Sequence, residues 1–169
     1  MNFFSSDFLS SILKNPPWDF VVLFLLLTGG FFWGITDGKK KMAVAMLGIY
    51  VLSSIFSYVP LDALTKGRSP DEVWFFKAGA FLILLVFITL FLVRSFKYAS
   101  FRNEGAWWEI ILMSVLGAGF LAVSLLALAP PEVFGKNIVT ISPLIKTLFL
   151  TPSISQWWMI LPIFGVMFF

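Results

Sequence analysis

Cysteine and histidine are both absent from the 169 residues. Without cysteine there is no disulfide, no thiolate metal site and no sulfur nucleophile, and the redox compartment is left open. Without histidine the commonest general base and the commonest metal ligand are gone. Only an all-oxygen site for a hard cation stays available. Charge is scarce as well. Charged residues make up 12% of the chain, against about 25% in a soluble domain. Such a chain cannot coat a water-facing globule of its size. The formal charge of +3 is spread over short loops, which marks topology rather than a nucleic-acid surface.

What is present is apolar: 59% of the residues are hydrophobic and 18% aromatic. The pattern predicts an all-α polytopic membrane protein folded as a single membrane domain. Residues 3–14 place Phe4, Phe8, Leu9, Ile12 and Leu13 on one half of a helical wheel, which suits an interfacial helix. Spans are predicted at 18–36, 42–61, 73–93 and 107–129. The first has 19 residues, about 28 Å of helix and close to the hydrocarbon thickness. Residues 1–17 make a poor signal peptide, so the first apolar run is expected to remain as an anchor. The tail, 143–169, opens on Ser142-Pro143, a good helix start. A short helix is expected at 143–150, ended by Thr151-Pro152, and 153–169 reads equally as a fifth span or as a re-entrant or interfacial hairpin.

Loop charge sets an expected orientation. Lys39, Lys40 and Lys41 fall in the turn 37–41, and Arg94, Lys97 and Arg102 in the linker 94–106. These two segments lie on one side, and their density of positive charge predicts that it is cytoplasmic, with the N-terminus outside. Both are expected to meet anionic lipid headgroups. Trp18, Trp74, Trp107, Trp108, Trp157 and Trp158 fall near span ends, as an aromatic belt requires.

Few residues carry chemistry. Gly30, Gly34 and Gly38 share one helix face by their spacing of four. Ser114, Ala118 and Ala122, with Gly117 and Gly119 beside them, give the fourth span a similar small face. Both are expected to be helix-packing surfaces, within the chain or toward a partner copy. Asp19, Lys77 and Glu109 are the candidate intramembrane charges. Asp19 and Lys77 fall near the outer face, where they can pair, and Glu109 and Asp37 near the inner face. Interfacial anchoring is the plainer reading of all four. A proton or ion path needs polar groups at mid-depth; the second span offers only Ser53, Ser54 and Ser57, and the third only Thr89. No metalloprotease, hydrolase or phosphate-binding motif occurs. Neither enzymatic activity, a cofactor nor a metal is therefore expected.

The stretch from Trp18 to Ser57 resembles the opening of the colicin V production protein family, small four-span bacterial inner-membrane proteins. The matching features are Asp19, Gly34, Gly38 with Lys39, and Gly48. The basic linker before a glycine-rich last span, Arg102 to Gly119, is similar too. Asp37 stands where that family usually has Arg. The resemblance implies a bacterial inner-membrane protein linked to toxin export and envelope integrity. With the glycine faces, it leads to an expected non-enzymatic role through helix–helix contacts, with membrane lipids and protein partners or further copies as neighbours. The rival expectation is a small transporter or channel for protons or a small solute.

Overall fold

The computed structural model describes residues 17–95, 107–135 and 141–168. The expected interfacial helix at 3–14, Lys97, Arg102 and Glu104 lie outside the described residues. Every regular element among those described is helical. The order is α1 (Trp18–Asp37), α2 (Lys39–Phe56), α3 (Asp62–Thr65), α4 (Pro70–Ser95), α5 (Trp107–Ala127), α6 (Pro131–Gly135), α7 (Pro143–Ile145) and α8 (Pro152–Phe168). A single π turn, Lys146–Leu150, joins α7 to the break before α8.

Local chemistry explains where the helices depart from expectation. The charged turn at 37–41 contracts to one residue. Gly38 adopts φ 80° and ψ 162°, a conformation open in practice to glycine alone. Its N–H donates to the Gly34 carbonyl at 2.9 Å. Lys39–Lys41 therefore form the first turn of α2 rather than a loop. At its other end α2 stops at Phe56, not 61, because Pro60 cannot continue it. The α4 helix starts three residues earlier than expected. Ser69-Pro70-Asp71-Glu72 is a capping box: the Glu72 carboxylate accepts the Ser69 N–H at 3.4 Å, and proline takes the first helical position.

The α5 helix lies at the centre and packs on α1, α2 and α8, while α4 packs chiefly on α2 and reaches α5 through Trp74 and Phe81. Contacts fix the directions. Gly30 faces Ser114 while Gly34 faces Ile110, so α1 and α5 are antiparallel. Gly117 meets Met46 and Ser53 meets Ser124, so α2 and α5 are parallel. Gly119 meets Trp158 and Leu116 meets Gly165, so α8 runs antiparallel to α5.

An all-α membrane protein with four spans was expected, and the structure is consistent with it, offering three to four candidate spans among the described residues. Three helices, α1, α4 and α5, are long and apolar enough to cross a membrane. The α2 helix differs from these in carrying three lysines in its first turn, and half of its 18 residues are buried. The tail supplies a fourth candidate. Its two halves, Pro143–Leu150 and Pro152–Phe168, are bent by 61° at the break. It begins beside Asp19, and Val166 joins the cluster of Met42, Met113 and Leu116 at the other end of the bundle. The broken tail thus runs the full length of the bundle.

The aromatic belt is also revised. Trp107, Trp108, Trp157 and Trp18 are exposed. Trp74 and Trp158 turn inward, where their indole N–H groups donate to the carbonyls of Leu125 and Leu148. Buried indoles keep a partner for that donor.

Candidate functional site

Two buried polar contacts clasp the bundle, one at each end. At the first, Lys39 Nζ and Glu109 Oε2 are 2.5 Å apart, with the side chains 7% and 18% exposed. The glycine turn causes this placement. It leaves no linker, so Lys39 opens α2 beside the first turn of its parallel neighbour α5. Glu109 is stabilised by the N-terminal dipole of α5, whereas Lys39 opposes that of α2. Its carboxylate partner therefore holds Lys39 in place. The expectation that Lys39 faces lipid with Lys40 and Lys41 is overturned: Lys39 is buried, Lys40 and Lys41 are half-buried, and Arg94 is exposed.

At the other end, Asp19 is 6% exposed, deeper than an interfacial anchor. Its carboxylate accepts the Ser142 N–H at 2.7 Å and the Phe20 N–H at 3.0 Å. Ser142 precedes α7, and its own side chain makes no capping bond. Asp19 instead satisfies the backbone N–H of that N-cap residue, 123 residues away in sequence. It sits in the first turn of α1 and before the start of α7, so both helix termini favour its charge. Lys77 lies half-buried on α4. Asp19→Ala is expected to cost about 2 kcal/mol, the scale of a charged hydrogen bond. Limited proteolysis checks this, with earlier cutting around residue 142 as the expected result.

Between the clasps runs the small-residue seam. A methyl added at Gly30 would meet Ser114 Cβ at 3.7 Å, an ordinary contact, while one at Gly34 would reach 2.3 Å from Met42 Sδ and 2.6 Å from Ile110 Cγ2. Gly38 serves the turn. The glycine series is thus taken up inside the chain by α2 and α5. Ala118 is buried and Ala122 half-buried on α5. The tightest approach was not anticipated. A methyl at Gly119 would lie 2.1 Å from the Trp158 ring. The alternation of glycines around Ala118 hints at it, but the tryptophan that fills the space is 39 residues away in sequence.

Mid-depth polarity is sparse and mostly satisfied. Ser124 Oγ donates to the Phe120 carbonyl at 2.9 Å and lies 3.5 Å from Ser53 Oγ. Thr89 Oγ1 is buried without a hydrogen-bond partner, facing Gly48. A cleft of about 250 Å³ lies between α1, α2, α5 and Leu85 of α4, and a cavity of about 110 Å³ adjoins Asp19. Among the described residues no group of three or more acidic side chains converges as a metal ion would need. Neither the Asp37 side chain nor Glu104 lies within the described set. Comparison with protein-family models, curated proteins and solved structures finds no match for this chain.

Proposed function

We propose that this is a non-enzymatic protein of a bacterial inner membrane, acting in export or envelope maintenance through helix–helix contacts in a larger assembly. The one-sidedness of α4 carries the reading. Of its 26 residues only Trp74, Phe81 and Thr89 are buried. Phe75, Ile83, Val86, Phe87, Leu90 and Phe91 stay exposed along its length. In contrast, the buried charges, Lys39, Glu109 and Asp19, are held within the chain. That leaves an aromatic-rich ridge as the surface on which a neighbouring transmembrane helix would sit. The resemblance to the colicin V production family supplies the export and envelope context.

Absence of cysteine makes the test direct. Single cysteines at Ile83 and Phe87, oxidised in native membranes, are expected to give cross-linked species of defined mass. Cysteines at Val21 or Ile163, exposed on other helices, serve as comparison. Only monomer at every position would sink the assembly reading. Deletion in the host, followed by an envelope permeability assay, tests the biological context separately.

A further inference from the structure

The basic residues divide evenly between the two ends of the bundle. Lys39, Lys40, Lys41 and Arg94 belong to the end with the Lys39–Glu109 clasp, and Lys66, Arg68, Lys77 and Lys146 to the Asp19 end. Of those outside the described residues, Lys97 and Arg102 fall in sequence between α4 and α5, while Lys14 and Lys136 adjoin α1 and α6. Each end thus holds six of the 12 lysines and arginines. Orientation in a membrane follows the bias of Lys and Arg between the two sides, counted near the helix ends and regardless of net charge. The density in 37–41 and 94–106 favours one orientation, but the total favours neither. A chain with no bias in that total has little to stop it entering the membrane either way up.

The outer face of α4 is complementary to itself when reversed. Glu72, Phe75, Gly79, Ile83, Phe87, Phe91 and Arg94 recur at spacings of three and four, on the side away from buried Trp74 and Phe81. Those spacings read the same from either end. Two antiparallel copies centred on Ile83 therefore set Glu72 beside Arg94, Phe75 beside Phe91 and Phe87 over Gly79, each pair occurring twice. Gly79 has room for that ring: among the described residues a methyl there would meet nothing within 4 Å, and Phe87 is 68% exposed. Close side-chain packing of this kind is what drives helices together in a membrane. Glu72 and Arg94 are 22 residues apart, about 33 Å of helix, so both pairs fall at the membrane faces and not in hydrocarbon. The Ser69 N–H that Glu72 accepts is neutral, so the carboxylate keeps its charge. Two copies the same way up would oppose Glu72 to Glu72 and Arg94 to Arg94.

We propose that the chain inserts in both orientations and pairs through α4 with an inverted second copy, Ile83 lying on the two-fold axis. This rests on the assembly reading and names its partner. The test uses the full chain in its membrane, with single cysteines in the otherwise cysteine-free sequence. Leu64→Cys and Ser95→Cys mark the two ends at exposed positions. A membrane-impermeant maleimide on intact spheroplasts is expected to label about half of each, as an unbiased charge count implies, and the rest after permeabilisation. Phe75→Cys and Phe91→Cys on two differently tagged, co-expressed chains are expected to cross-link to each other and not to themselves. In a same-way-up pair those positions stand about 24 Å apart. Lys66→Gln with Arg68→Gln leaves four basic residues at that end against six. That variant is expected to make Leu64→Cys fully accessible, to protect Ser95→Cys and to lose the 75–91 product. Should it fail to fold, labelling and cross-linking without it decide. Labelling of each cysteine from one side only overturns the proposal. So do 75–75 and 91–91 products, or products with another protein, in place of 75–91; either would leave the assembly reading standing. Absence of any product, at these positions and at Ile83 and Phe87, sinks both.

Discussion

Glu109→Ala is expected to destabilise the purified chain by about 3 kcal/mol or more, the scale of breaking a buried ion pair from one side. The reason is what the substitution leaves behind. Lys39 remains buried with no carboxylate at its ammonium group, on a helix N-terminus whose dipole repels it. It cannot withdraw easily, because the one-residue turn at Gly38 ties it to the end of α1. The double variant Lys39→Met, Glu109→Leu removes both charges and keeps the volume. It is expected to recover most of the loss, since apolar replacement of a buried pair is often neutral. Thermal unfolding in detergent, followed by circular dichroism, measures the full cycle. If Glu109→Ala fell within 1 kcal/mol of wild type, as for an exposed pair, the clasp would carry little of the fold.

Gly119→Ala produces the second large effect. The added methyl would sit 2.1 and 2.2 Å from two carbons of the Trp158 ring. An indole is rigid, so the ring or the helix must move as a unit. Displacing it also removes the N–H bond to the Leu148 carbonyl at 3.0 Å and the ring contact with Phe149 at 5.3 Å between centroids. Those two interactions hold the π turn against α8 across the break. Overpacking and the lost aromatic contact together come to about 3 kcal/mol. The expected readout is early proteolysis of 143–168, with α1 to α5 retaining helicity. Gly30→Ala, whose methyl meets only Ser114 at 3.7 Å, is expected to stay near wild type. Combining Gly119→Ala with Trp158→Ala is expected to cost less than the sum of the singles, as contacting residues do. Strict additivity would argue against the contact.

Tail geometry bears on both variants. Pro162 is buried inside α8 and lacks the N–H that would pair with the Trp158 carbonyl. Tyr50 of α2 donates its hydroxyl to the neighbouring Met159 carbonyl. The tail is thus held by three different helices, at Asp19 of α1, at Tyr50 of α2 and at Gly119 of α5 through Trp158.

By itself the sequence determined the class. Scarce charge and long apolar runs admit only a membrane-spanning helical fold, because unpaired backbone groups are intolerable in hydrocarbon and helices satisfy them locally. It also placed the long helices, to within a few residues at their ends, but not the short α3 and α6. The capping box at Ser69–Glu72 was there to be read. The conformation of Gly38, which turns a basic loop into a helical turn, was not, since glycine permits it without requiring it. Tertiary structure alone decided the partners. Lys39 with Glu109 lies 70 residues apart and Asp19 with Ser142 lies 123 apart, and no periodicity links them. Their pairing follows from which helices run parallel and which ends coincide. The same holds for the glycines: spacing of four marks a face, but only the packed bundle assigns Gly30 and Gly34 to α5 and α2 and Gly119 to Trp158. Backbone hydrogen bonds are local and so written in short stretches of sequence, whereas side-chain neighbours depend on the whole arrangement.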